Sequence, residues 1–235
     1  MLNILVLLLA ICVAAFLVGG IPFGYIAGRW LLKDDIRSHG SGNIGATNVG
    51  RVLGWKWGAG ILVLDALKGL LPTLAGVQAG QVWAPESWHQ HLPVAAGICA
   101  IVGHMYPVYL KLRGGKGVAT ALGVVIVLAP KAVGVALVVF LTTVVATRRV
   151  ALGSMLAAVS FAAAWLIMNH DHAWTVESSS LSAFSVLIPM LIIWRHRSNI
   201  FGLLSGTELP VTESTDPRRF RQPDDSSLPE GRSDA

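Results

Sequence analysis

Long apolar runs divided by short polar stretches set the rhythm of this chain, and the runs have the length of a bilayer crossing. A membrane helix needs roughly 20 apolar residues, or about 17 at the short end. Residues 2–26, 57–77, 92–109, 152–168 and 181–194 fit that description, the last being short. A further stretch, 118–147, is apolar but interrupted by Pro130-Lys131. As one helix it would measure about 45 Å, too long for a hydrocarbon core of about 30 Å without heavy tilt. Divided at Pro130-Lys131, it predicts two short helices.

Basic residues decide how these helices are threaded. The segments 33–56 and 111–116 and the pairs Arg148-Arg149 and Arg195/Arg197 are basic, whereas 78–91 and 169–180 carry no Lys or Arg. Cytoplasmic loops carry the excess of Lys and Arg. Lys116 and Arg148 share a side only if an even number of spans separates them, which the two short helices around Pro130 provide. The reading is an all-α integral membrane protein with seven transmembrane helices, N-terminus outside and C-terminus cytoplasmic, in which Lys131 alone breaks the charge rule. The first run has no basic segment before it and no clear cleavage signal ahead of Gly19-Gly20, so it reads as a retained span. Trp30, Trp55, Trp57 and Trp194 fall at the basic ends, and Trp83, Trp88 and Trp174 at the opposite ends, as interfacial belts do. Residues 1–208 form the membrane domain. Residues 209–235, rich in Pro, Ser, Asp and Arg, read as a disordered cytoplasmic tail.

Composition agrees. The 235 residues are 54% hydrophobic and only 13% charged, with mean hydropathy +0.63, where soluble domains carry about 25% charge. The net charge of +5 and pI near 9.6 could suggest nucleic acid. The cations sit at helix ends rather than along one polar face, which argues against it. Cys12 and Cys99 lie in separate apolar runs, so neither a disulfide framework nor a zinc site is expected. His89/His91 and His170/Asp171/His172 fall on the opposite side from the basic loops without cysteines beside them, and no metal is expected there. Asp65 and Lys68, inside the second run and on one helix face, are spaced to pair with each other or with the loop.

Four polar clusters reach the basic side. In the first, Ser41, Asn43, Thr47, Asn48 and Arg51 surround Gly40, Gly42 and Gly45. Glycine conformations can turn backbone N–H groups toward an anion, and an arginine can add a forked contact to phosphate. The second, Gly114-Gly115-Lys116-Gly117, opens a helix with a full positive charge, although a Walker A loop cannot be placed on it. Upstream, His104 could bond a ligand or a neighbouring loop. The third is Arg148-Arg149 with Ser154. In the fourth, His196 and Asn199 share a helix face, and Glu208 could orient a cation or a hydroxyl. Two glycine-rich loops facing one compartment suggest a site for a phosphorylated molecule at a membrane surface.

Together these residues resemble the bacterial inner-membrane glycerol-3-phosphate acyltransferases that use acyl phosphate, the PlsY family. The resemblance runs through Gly20–Tyr25, Gly40–Asn48 and Leu64–Gly69, then Gly103-His104, Pro107 and Gly114–Thr120, and ends in Arg195-His196, Asn199-Ile200 and Gly206–Glu208. Three departures stand out. Leu112-Arg113 replaces the usual Phe-Lys, Ala151 replaces the first serine of the third motif while Ser154 keeps the second, and Phe201-Gly202 replaces a basic pair.

The resemblance implies transfer of a fatty acyl group from a long-chain acyl phosphate to the 1-hydroxyl of glycerol 3-phosphate, without a cofactor, by a monomer whose active site faces the cytoplasm. An activated donor needs mainly positioning and charge balance. No Ser–His–Asp or His-x-x-x-x-Asp arrangement occurs in the cytoplasmic loops, which favours direct attack over a covalent acyl-enzyme. Lys116, Arg51 and loop N–H groups are expected to hold phosphates, Ser41, Asn43 and Thr47 to orient the donor, and His196 and Asn199 to position the glycerol hydroxyls. A transporter or binding protein for a phosphorylated metabolite, and a catalytically impaired paralogue, are the alternatives.

Overall fold

The computed structural model describes residues 4–208 and Pro210. The tail expected over 209–235 otherwise lies outside the described residues. Within them the chain is helical, with no strand. In order the helices are α1 (Ile4–Gly20), α2 (Phe23–Leu31), α3 (Ala46–Leu53), α4 (Trp55–Trp83) and α5 (His91–Met105), followed by α6 (Val118–Leu128), α7 (Pro130–Thr147), α8 (Val150–Met168), α9 (Ser179–Arg195) and α10 (Arg197–Leu204).

Two prolines mark breaks in the apolar runs, since proline has no N–H to continue the ladder. The 118–147 stretch breaks at Ala129, and Pro130 occupies the first turn of α7 where its missing N–H is harmless. The first run, expected to continue to residue 26, breaks at Ile21-Pro22, and α2 starts at Phe23. The carbonyl of Ile21 at this break accepts a hydrogen bond from Lys68 Nζ at 2.8 Å. A buried lysine of α4 therefore caps the end of α1. Helix α4 extends well beyond the expected 57–77 and accommodates Pro72 in its interior.

Among the described residues, 5 helical stretches can cross a membrane by length and apolarity, and a sixth if α9 and α10, bent by 59°, count as one. Helix α6 is apolar but shorter. Leu5, Val6, Leu9, Val138 and Leu187 are exposed on the outer faces of these helices, as lipid contact requires.

Small residues set the packing. Helix α1 lies on α5, α4 lies on α5 and α6, and α7, α8 and α9 pack in sequence. A Cβ on Gly69 would stand 2.1 Å from the Thr120 carbonyl oxygen, and one on Gly123 would stand 1.9 Å from that of Ala66. These two contacts are reciprocal, so α4 and α6 touch backbone to backbone. Gly19 against Ala100 and Gly103 against Phe16 do the same for α1 and α5. In lipid, where apolar burial drives little association, such close approach supplies the packing energy. It also fixes the start of α6 beside the middle of α4, where the charged residues of that helix lie.

Candidate functional site

The polar loops gather at one end of the bundle because α3, α4, α6 and α8 begin there and α5 and α9 end there. They enclose a cavity of about 130 Å³ lined by Ser41, Asn43, Gly45, Thr47, Asn48, Arg51, Asp65, His104, Lys116, Gly117, Ser154, His196, Asn199 and Glu208, among others. The first residues of α3 (Ala46, Thr47), α6 (Val118, Ala119) and α8 (Val150, Ala151) line it too. Helix starts present N–H groups without intrahelical partners and carry partial positive charge, so this wall favours an anion.

The first loop is organised by one side chain. Asn48, 1% exposed, accepts from Ser41 N at 2.7 Å and donates to the carbonyls of Asn43 (2.7 Å), His39 (3.1 Å) and Ile36 (3.3 Å). Its amide is spent on holding the loop, so it builds the site rather than reaching a ligand. Gly40, with φ +57°, stands so close that a Cβ there would lie 2.3 Å from Asn48 Oδ1. Asn43 Oδ1 accepts from Gly45 N at 2.8 Å and turns the chain into α3. Among the described residues the hydroxyls of Ser41 and Thr47 have no protein partner, which leaves them for a ligand.

The second loop is built differently from the expected anion cradle. Gly114 N and Gly115 N donate to the carbonyls of Met105 (3.2 Å) and His104 (3.1 Å), the end of α5. Arg195 donates to the Gly114 carbonyl at 2.9 Å and the Gly115 carbonyl at 2.8 Å. These glycines face α5 and Arg195, and neither lines the cavity. Their role is close approach, since a Cβ on Gly115 would fall 2.1 Å from His104 Nε2. Gly117 is left-handed at φ +83° and turns the chain into α6.

Lys116 follows this loop into the cavity. Its ammonium donates to Asn199 Oδ1, and Asn199 Nδ2 in turn donates to Glu208 Oε1 at 2.8 Å. Burial pulls the Lys116 ammonium down from 10.5 to about 8; Glu208 opposes the shift, and Arg51 and Arg195 add to it. His196, 3% exposed, has Nδ1 at 2.8 Å from the Ile192 carbonyl. A carbonyl only accepts, so Nδ1 carries the proton and Nε2 is the acceptor of the neutral ring.

Other expected residues lie off the cavity. Gly42 lines a separate recess with Arg37, Gly114 and Arg195. Arg148 forms the left-handed end of α7 at φ +56°, away from the cavity wall. Ser154 lines the cavity, and its hydroxyl donates back to the Val150 carbonyl at 2.9 Å. Asp65, Leu62 and Phe140 are among the lining positions not read from the sequence as part of the site. Asp65, paired with Lys68 at 2.9 Å as its spacing suggested, also faces the cavity. Its signal was a carboxylate in the middle of an apolar helix. Leu62 and Phe140 gave no signal; they matter because a second cavity begins there.

That second cavity, about 330 Å³, runs between α6, α7, α8 and α9 and is walled by Leu122, Val125, Leu137, Leu141, Ala157, Phe161 and other apolar side chains. It shares Leu62, Val118, Ala119, Phe140 and Ser154 with the polar cavity. An anion-favouring chamber therefore opens directly into an apolar groove.

Residues 9–206 match the family model described as glycerol-3-phosphate acyltransferase. The chain belongs to this family. It is 44% identical over 199 residues to the glycerol-3-phosphate acyltransferase of Myxococcus xanthus, covering 85% of this chain and 97% of that protein. With the enzyme of the same name from Thermoanaerobacter pseudethanolicus it shares 40% identity over 205 residues, covering 87% and 96%. Among solved structures it is similar to PlsY, an integral membrane glycerol 3-phosphate acyltransferase. The glycerol 3-phosphate form of that protein aligns with TM-score 0.74 and 38% identity, over 86% of this chain and 94% of PlsY. The lysophosphatidic acid form aligns with TM-score 0.71 and 37% identity. Family membership also frames the departures. The Gly202 carbonyl accepts from Thr207 N (2.8 Å) and Glu208 N (3.0 Å), and a Cβ there would lie 3.0 Å from Glu208 Oε2. These backbone hydrogen bonds fold the Glu208 segment back on α10.

Proposed function

We propose that this protein transfers a fatty acyl group from acyl phosphate to the 1-hydroxyl of glycerol 3-phosphate, releasing lysophosphatidic acid and inorganic phosphate. The observation that carries the reading is the junction of the two cavities. Both substrates bear phosphate and one bears a long acyl chain, and here a cationic chamber meets an apolar groove at Phe140 and Ser154.

In this reading the acyl chain lies in the groove and its carbonyl sits at the junction. Lys116, Arg51 and the N–H groups opening α3, α6 and α8 hold phosphate oxygens, while Ser41 and Thr47 add hydroxyl contacts. The 1-hydroxyl attacks the acyl carbon, the bond from that carbon to the phosphate oxygen breaks, and the departing phosphate takes the proton. His196 Nε2 accepts from the attacking hydroxyl and orients it. Asn199 acts through Lys116, since both ends of its amide are engaged. Catalysis then rests on positioning and electrostatic stabilisation of an already activated donor. Seven spans, with the N-terminus outside and the site facing the cytoplasm of a bacterial inner membrane, fit the common end shared by the basic loops. In this reading the protein works as a monomer, since the reaction as written asks for no residue beyond those named.

The test is product formation by purified protein in lipid, with glycerol 3-phosphate and, in parallel, acyl phosphate, acyl-CoA or acyl carrier protein. Lysophosphatidate formed only from acyl phosphate, and lost in Lys116→Ala, is the expected result. No product from any donor by folded protein that still binds glycerol 3-phosphate would favour a transporter or an impaired paralogue.

A further inference from the structure

The cavity has one polar corner that the reaction above does not use. His104, on α5, is 4% exposed and Asp65, on α4, is 2% exposed, yet both line the chamber. His104 Nδ1 is buried and has no hydrogen-bond partner among the described residues. It stands 3.8 Å from Asp65 Oδ1, too far for a hydrogen bond. Buried polar groups are nearly always satisfied, so an orphan of this kind facing a chamber marks a place for a ligand atom.

The corner is also rigid. Asp65 is held by Lys68 Nζ at 2.9 Å, and Lys68 is anchored on the Ile21 carbonyl. The His104 ring lies over Gly115, where any side chain would collide with Nε2. The gap between Nδ1 and Oδ1 suits one oxygen at about 2.8 Å from each, a hydroxyl that accepts from the imidazole N–H and donates to the carboxylate.

Its depth indicates which hydroxyl. Leu62 belongs to the groove mouth, and Asp65 lies one turn further along α4 on the same face. The reacting hydroxyl must be at the mouth, where the acyl carbonyl waits. We propose that His104 and Asp65 form a subsite for the hydroxyl that does not react, so that the chamber selects a phosphorylated 1,2-diol over an acceptor with a single alcohol. This assignment rests on the acyl-transfer reading and deepens it.

A site built to hydrogen-bond a hydroxyl rejects the analogue lacking it strongly, because its own polar groups are then left unpaired. The experiment compares glycerol 3-phosphate with 3-hydroxypropyl phosphate, which differs only in lacking the middle hydroxyl. Both binding by calorimetry and acyl transfer from acyl phosphate are measured on the full chain in lipid. The wild type is expected to bind the deoxy acceptor at least about 10-fold more weakly and to use it with kcat/KM at least about 100-fold lower. In His104→Phe, and independently in Asp65→Asn, the ratio between the two acceptors is expected to fall below about 10-fold. Equal binding of both acceptors by the wild type overturns the subsite without needing any variant. A variant that loses both acceptors in proportion, with the ratio preserved, overturns it as well. Weaker binding of the deoxy acceptor with no acyl transfer to either upholds the subsite and overturns the transfer reading, so the two failures are distinguishable.

Discussion

Asn199 and Glu208 are joined by a 2.8 Å hydrogen bond from amide Nδ2 to carboxylate Oε1, and the other end of the same amide receives the Lys116 ammonium. The carboxylate thus reaches the lysine through a neutral relay. It steadies the positive charge without forming a contact ion pair that a phosphate would have to break.

The pH dependence follows. The Lys116 ammonium loses its proton at about 8 rather than at 10.5, because burial disfavours the charge. Its charge is fully present below about 8 and is lost as pH rises through that value, so kcat/KM for glycerol 3-phosphate should fall there. In Glu208→Gln the opposing carboxylate is gone and the alkaline limb should move to lower pH. A pH–rate profile of the two proteins checks this; identical limbs would remove Glu208 from the electrostatics. For the ligand-free fold the sign is opposite. Between about 8 and 10.5 the unfolded chain holds a proton that the folded one has shed, so the Lys116 contribution to stability rises with pH.

Phosphate binding should itself draw a proton onto Lys116. Near pH 8 Lys116 is neutral in about half of the molecules, and a bound dianion favours the charged form. Titrating glycerol 3-phosphate at pH 8 in buffers of different ionisation enthalpy should reveal uptake of up to about half a proton. Lys116→Met should abolish that uptake and weaken binding by about 10-fold or more. Unchanged proton uptake in Lys116→Met would assign the titration to another group.

Asn48 should behave as a structural residue, although it sits on the cavity wall. Its amide makes hydrogen bonds to Ser41 N and to the carbonyls of Ile36, His39 and Asn43. Each contributes about 0.5–1.5 kcal/mol net. Asn48→Ala should therefore cost about 2 kcal/mol or more, seen as a lower Tm, and Asn48→Asp should do no better because it sets a carboxylate against carbonyl oxygens. A variant with wild-type Tm and reduced binding would return Asn48 to the ligand.

Much of the fold was legible because lipid imposes a length rule on apolar runs, and Pro130 marked its break in the sequence. The break at Ile21-Pro22 was hidden by apolar residues on both sides, and only Lys68, far along the chain, reveals what satisfies the freed carbonyl. The cavity wall was legible where the polar loops carry charge or hydroxyls, as at Lys116, Arg51 and Ser41, all of which line it. It misled where glycine serves packing. Gly114 and Gly115 look like an anion cradle in sequence, yet their N–H groups cap α5. Composition cannot separate a glycine that admits a ligand from one that admits a neighbouring ring.

The α4–α6 contact carries a prediction of coupling. Gly69 and Gly123 each leave room for a carbonyl of the other helix, at Thr120 and Ala66. Alanine at either position must push the helices apart, and once they have separated the second substitution has less left to disturb. Gly69→Ala and Gly123→Ala should each lower stability, while the double variant should fall short of their sum by about 0.5 kcal/mol or more. Activity should drop in each single variant, because α6 carries the Lys116 turn and α4 carries Asp65. Additive losses would mean that the two glycines act at separate contacts.

The groove predicts chain-length dependence. Ala157 lines it and is only partly buried, so a larger side chain there fills space without overpacking the buried core. Each methylene held in the groove is worth about 0.8 kcal/mol, roughly fourfold in affinity. Ala157→Phe should therefore raise KM for a sixteen-carbon acyl phosphate by about 10-fold or more and change an eight-carbon donor much less. Kinetics over a series of donor lengths would locate the block by the length at which the two proteins diverge. A uniform loss at every length would place the acyl chain elsewhere, on the lipid-facing surface rather than between α6, α7, α8 and α9.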